Sequence, residues 1–119
     1  MYESDIDMRT LVKSVKALSD ETRIRILKVL CERDCCVCEV RQALDISQSR
    51  ASRNLNILES AGFVCSSRDG LWIVYSINKQ ADGYINALLG LLSTRIEEEQ
   101  TIILDKERLT EVNRVGCKC

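Results

Sequence analysis

After Gly62 the hydrophobic period of this chain changes from helical to alternating, and that change limits what it can fold into. Upstream, apolar residues recur at three- and four-residue intervals. Downstream, Val64 to Arg68 and Leu71 to Ile77 flank Asp69-Gly70, a dipeptide suited to a two-residue hairpin turn. In the second arm Ile73, Tyr75 and Ile77 share one face, and Trp72, Val74 and Ser76 share the other. The expected fold is mainly α with a small β-hairpin.

The helices can be placed from their apolar rows and caps. Met8, Leu11, Val12, Val15 and Leu18 predict a first amphipathic helix over about residues 6–18. Ser19 is expected to cap a second helix, with Asp20 and Glu21 in its first turn and Ile24, Leu27 and Cys31 on one inner row. A short helix follows over about 36–44, with Val37, Val40 and Leu44 inward. Ser47 caps a fourth, over about 48–61, which Gly62 ends. Ile85, Leu88, Leu89, Leu92 and Ile96 predict one long fifth helix over about 81–100. The acidic run Glu97-Glu98-Glu99 is expected on its exposed face, and the tail beyond Thr101 is expected to be helical in part. The division expected from this pattern is a domain over 1–100 that binds DNA and dimerises, with an extension over 101–119 that holds a Cys-x-Cys pair.

Composition removes several classes. At 119 residues and 45% hydrophobic the chain is expected to be one globular domain. It has no apolar run long enough for a membrane helix and no signal-peptide pattern at Met1-Tyr2-Glu3, so no membrane partner and a cytoplasmic setting are expected. Histidine is absent, which removes the commonest general base and metal ligand. Cysteine numbers 7, an odd count that fits a closed disulfide framework poorly and favours thiolate chemistry.

Two short helices joined by a tight turn and followed by a hairpin describe a winged helix-turn-helix, whose second helix enters the major groove. Here that helix presents Ser47, Gln48, Ser49, Arg50, Ser52, Arg53 and Asn56. No acid lies between Asp45 and Glu59. Solvated helix faces usually mix Glu and Lys, so an acid-free run of Ser, Gln, Asn and Arg favours DNA. Arg68 at the hairpin tip is placed for a neighbouring phosphate. The net charge of −1 does not oppose this, because patches govern nucleic-acid binding. Two symmetric reading helices on a palindromic operator would give more contacts than one, so a homodimer is expected. The apolar first and fifth helices are expected to supply its interface.

The chain resembles the ArsR/SmtB-type, arsenic-responsive repressors. The resemblance runs from about Leu11 to Leu92 and rests on Ala17-Leu18-Ser19-Asp20-Glu21-Thr22-Arg23, Cys36-Val37-Cys38-Glu39-Val40, Ile46-Ser47-Gln48-Ser49-Arg50-Ala51-Ser52-Arg53 and the wing Asp69-Gly70-Leu71-Trp72. It implies a homodimeric repressor, not an enzyme, that leaves its operator on binding a thiophilic ion. It also implies dimerisation through the first and fifth helices. The family often has His where Asn54 stands. In the family the Cys-Val-Cys pair binds arsenite, often with a third cysteine at the position of Arg41 in this chain.

Asp34-Cys35-Cys36-Val37-Cys38-Glu39 opens the helix before the reading helix, where dipole and free N–H groups are expected to lower thiol pKa. Soft thiolates select soft ions, and trivalent arsenic or antimony takes three in a pyramid. Cys35 and Cys38, at i and i+3, would share a face of a regular helix. Cys36 and Cys38 would point apart, so three sulfurs can meet one guest only if the first turn unwinds. That would couple binding to the reading helix. The candidate ligands are Cys35, Cys36, Cys38, Cys117 and Cys119, with As(III) or Sb(III) as inducer and no permanent cofactor. Cys31 and Cys65 are expected to be small core hydrophobes.

Four other readings compete. Paired thiols could sense oxidants or persulfides. A cadmium or lead sensor fits less well, since the chain has no cysteine before Cys31. A sulfur-bound structural zinc would make chelators unfold the domain. Cys35 to Arg41 fits the Cys-x5-Arg loop of thiol phosphatases and some arsenate reductases, but lacks glycine and a preceding strand pattern.

Overall fold

The computed structural model describes residues 7–81 and 83–114. Among the described residues, six helices and a three-stranded sheet follow in the order α1 (Met8–Ala17), α2 (Glu21–Glu32), β1 (Cys35–Cys36), α3 (Val37–Leu44), α4 (Gln48–Ser60), β2 (Val64–Asp69), β3 (Trp72–Ile77), α5 (Gly83–Ser93) and α6 (Gln100–Leu109). The sheet is antiparallel with order β1-β3-β2. This is a winged helix-turn-helix, with α3 and α4 as the two helices and β2–β3 as the wing.

Side-chain caps start the helices. Asp7 accepts from the Thr10 N–H at 2.8 Å, Asp20 from Arg23 at 3.2 Å and Ser47 from Arg50 at 3.1 Å. Asp20, not the expected Ser19, therefore caps α2; the Ser19 hydroxyl instead donates to the Lys16 carbonyl. The turn between α3 and α4 is only Asp45 to Ser47, with Asp45 left-handed at φ 56°. In the wing Asp69 pairs with Trp72, so the two turn residues are Gly70 and Leu71, one position later than expected. Gly70 sits at φ 63° while Leu71 stays at negative φ, the pattern of a type II′ turn, which needs glycine first.

Helix α2 is central. Ile26, Leu27, Val29 and Leu30 are buried on it, against Val40, Ala43 and Leu44 of α3 and Ala51, Leu55 and Leu58 of α4. Its last turn runs out of the core, which leaves Cys31 exposed and corrects the expectation of a buried side chain. Cys65 is also exposed, on the outer side of edge strand β2 beside Ser76.

Three cations of α2 each bond the C-terminal carbonyls of a different helix. Arg23 donates to Ala17 O at 2.7 Å and Lys16 O at 3.2 Å, ending α1. Arg25 donates to Leu44 O at 2.9 Å, ending α3, and forms a bidentate pair with buried Asp105 of α6. Lys28, only 1% exposed, donates to Leu92 O and Arg95 O at 2.8 and 2.9 Å.

The contacts of Lys28 explain why the helix expected over 81–100 ends early, whereas α6 falls in the tail expected to be helical in part. Helix α5 stops at Ser93, where Lys28 takes the Leu92 carbonyl and, just beyond, that of Arg95, and Ile96 turns left-handed at φ 55°. For a β-branched residue that conformation costs on the order of 1–3 kcal/mol. Glu97, expected on a solvated helix face, lies in this junction and accepts from both Lys28 and Lys106. Glu99 caps α6 through the Thr101 N–H. Helix α6 then packs on α2 and α3 with Ile102 and Leu109 buried, so residues 100–109 share the core of the preceding helices. No helix among the described residues is long and apolar enough to cross a membrane.

Lys28→Met keeps the aliphatic stem but leaves two carbonyls and Glu97 without their donor. A loss of about 2–4 kcal/mol is expected, read as a lower urea midpoint. Lys106 and Lys28 hold the Glu97 carboxyl at about 2, below its ordinary 4.5. A depressed carboxylate stabilises the fold above pH 4.5, and that contribution is lost as pH falls through about 2. Glu97→Gln should flatten the acid limb of the stability profile in that window.

Candidate nucleic-acid interface and cysteine centre

Helix α4 buries Ala51, Asn54, Leu55 and Leu58, and this face fixes which side chains look outward. Ser47, Gln48, Ser49, Arg53 and Asn56 are exposed and Ser52 is half-buried, so the expected polar face exists as a surface. Arg50 differs. The residue is exposed, but its guanidinium turns back and donates to Thr22 Oγ1 of α2 at 2.7 Å. That contact makes Arg50 a brace between α2 and α4. Asn54 is buried; it accepts from Arg23 at 2.9 Å and donates to Arg50 O at 2.9 Å. Arg68 is exposed at the wing, where its guanidinium reaches only Gly70 O at 3.4 Å.

The cysteine segment is not a helical turn. Cys35 and Cys36 form β1 and pair with Tyr75 and Val74 of the wing, and α3 starts only at Val37 with Cys36 as its N-cap. The expected shared helix face of Cys35 and Cys38 is therefore absent. Both strand cysteines are 0% exposed. Burial pushes the Cys35 thiol up to about 12, which the nearby Arg33 only partly offsets, so the expected thiolate activation by the helix N-terminus does not apply to it. Cys38 lies in the first turn of α3 and accepts from Gln42 Nε2 at 3.2 Å. Among the described residues no three metal-ligating side chains converge on one point. Cys117 and Cys119 lie outside the described residues.

Two residues that sequence reasoning missed organise this region. Glu39, buried on α3, accepts from the Cys36 N–H at 2.9 Å, from Arg33 at 3.0 Å and from Arg114 at 3.3 Å. Burial alone would raise its pKa, but these donors outweigh it and the carboxyl is held below its ordinary value. Arg114 also donates to Asp69 at 3.1 Å and lies 5.7 Å from the Trp72 ring centroid. It thus joins the start of α3 to the wing tip. The spacing of Cys36 and Glu39 carries a capping signal, whereas nothing local marks Arg114.

A tight helix-turn-helix with an exposed acid-free reading face and a wing defines the class of winged helix-turn-helix regulators. Residues 20–66 match the family described as bacterial regulatory protein, arsR family. The arsenical resistance operon repressor of Bacillus subtilis is 34% identical over 83 residues, covering 69% of this chain and 76% of that protein. The chain belongs to the ArsR family. The arsenic resistance transcriptional regulator ArsR1 of Pseudomonas putida is 37% identical over 75 residues, 62% of this chain and 59% of that protein. The match thus spans about three fifths of that relative. Among solved structures, the homodimeric winged helix-turn-helix DNA-binding domain of a Mycobacterium bovis protein superposes with TM-score 0.65 at 26% identity, covering 83% of this chain and 92% of that one. The family and the Pseudomonas relative are described as regulators, and the Mycobacterium domain as DNA-binding.

Thiol labelling of the native protein at pH 8 tests the burial pattern. Cys65 and Cys31 should take up a small alkylating reagent, Cys31 more slowly because partial desolvation of its thiol raises its pKa, while Cys35 should react only after unfolding.

Proposed function

We propose that the chain is a transcriptional repressor that leaves its operator when cysteine thiolates, among them Cys36 and Cys38, bind trivalent arsenic or antimony. The observation that carries this reading is the direct packing of α3, which Cys36 caps and Cys38 enters, against α4, to which it connects through only three residues. A guest that draws Cys36 and Cys38 together must distort the first turn of α3, and the seat of the reading helix shifts with it. Ser47, Gln48, Ser49, Ser52, Arg53 and Asn56 contact DNA in this reading, with Arg68 on an adjacent phosphate. Arg50 supports them from behind through Thr22.

Two sulfurs leave a pyramidal centre short of one ligand. In this reading the third sulfur comes from Cys117 or Cys119, since β1 holds Cys35 opposite Tyr75. Arg114 bonds Glu39 in the first turn of α3, and Cys117 follows three residues later, a span of at most about 11 Å of extended chain. The partner for dimerisation is a second copy, covering the outer apolar stripe of α1 (Met8, Leu11, Val12 and Val15, all exposed) together with α5. Two copies would read a palindromic operator. Cys35, Cys36 and Cys38, three cysteines within four residues, favour one second reading, a thiol-redox sensor on the same fold.

Arsenite titration of the protein–operator complex under anaerobic, reducing conditions separates the two: a purely redox sensor stays bound. Cys36→Ser and Cys38→Ser should keep operator affinity within about threefold yet abolish release, and normal release from Cys36→Ser would refute the arsenic site. Arg53→Ala should weaken operator binding by about 5- to 150-fold with arsenite affinity unchanged.

A further inference from the structure

Helix α1 carries three separate faces. Ser14 and Ala17 are buried, Met8, Leu11 and Val15 form an exposed apolar stripe, and Arg9, Lys13 and Lys16, at i, i+4 and i+7, line the edge between them. The helix contains no acid, and among the described residues these three cations enter no ion pair. Free cations on a helix without counter-charge are a standing invitation to an anion.

The edge is aimed at the reading helix. A groove of about 620 Å³ has Lys13 on one wall and Ser49, Ser52, Arg53 and Asn56 of α4 on the other. A second hollow of about 390 Å³ beside it is lined by Arg9, Lys13, Lys16 and Arg23. The arrangement is fixed, because Arg23 bonds the last carbonyls of α1 and Asn54 of α4 at once.

We infer that Arg9, Lys13 and Lys16 are a second nucleic-acid contact, gripping duplex phosphates that flank the base pairs facing α4. This rests on the DNA-binding reading above and extends its footprint to a helix that reading assigns to dimerisation. Double-stranded DNA is the occupant because the cations continue the wall formed by Ser, Asn and Arg side chains of α4, and a duplex offers phosphates on both sides of the groove its reading helix enters. The apolar stripe stays available to a second copy, since it lies on a different face.

Phosphate contacts are sequence-independent, so the probe is a random-sequence 30-base-pair duplex, followed by fluorescence anisotropy across a KCl series. The slope of log affinity against log salt changes by about 0.9 for each phosphate neutralised. Lys13→Gln should reduce the slope by about 0.9, and the triple Arg9→Gln, Lys13→Gln, Lys16→Gln by about 2–3. Lys13→Arg should retain the wild-type slope, which separates lost charge from a disturbed helix. Sedimentation mass should not change. If wild-type protein binds the duplex and the triple variant keeps the same slope, the α1 contact is wrong while the DNA reading stands. A triple variant that turns monomeric would make this edge a subunit interface and equally overturn the inference. Failure of the wild type to bind any duplex, operator included, would remove the DNA reading itself.

Discussion

Cations on one central helix hold the ends of three others. A helix C-terminus leaves carbonyls without partners, and a buried one is costly unless a donor reaches it. Arg23, Arg25 and Lys28 of α2 supply those donors to α1, α3 and α5. Their spacing projects them in different directions, so one helix sets the stopping points and the placement of its neighbours. The reading helix inherits its position from this frame. It meets α2 through Asn54 and Arg50, both bonded to residues in the first turns of α2.

The cysteine segment sits at the weakest-looking join of that frame and is nonetheless well bonded. Cys35 and Cys36 are strand residues shared with the wing, and Cys36 is also the first cap of α3. In the proposed reading, a guest at Cys36 or Cys38 would act on both α3 and the wing through one short segment. Glu39 concentrates three donors at the same point, one of them Arg114, which reaches on to Asp69 of the wing. In a reading where arsenic is the signal, the wing and α4 respond together and not in sequence.

Much of this was legible in the residues. The change of period after Gly62 placed the wing, and Ser47 with the acid-free run placed α4 and its outward face. What failed depended on long-range contacts. The fifth helix looked continuous because its apolar row does continue; Lys28, 64 residues before Leu92, ends it. Cys35 and Cys36 looked helical because strand pairing with Tyr75 and Val74 has no local signal in a two-residue element. Cys31 lay on an apparent inner row, but the turn carrying it leaves the core. The bond from Arg50 to Thr22 is another such long-range contact, with no local signal in the sequence.

Asp105 has a bearing on how this domain can be shortened. The segment matching the family ends at residue 66, and a fragment trimmed before α6 would look like a natural minimal version. It would instead strip the bidentate carboxylate from Arg25 and the Arg108 donor from Ala43 O, at the very end of α3. The helix that holds the cysteines would lose its far anchor. Any truncated surrogate would therefore report on a slackened scaffold, however faithfully it kept the reading helix itself.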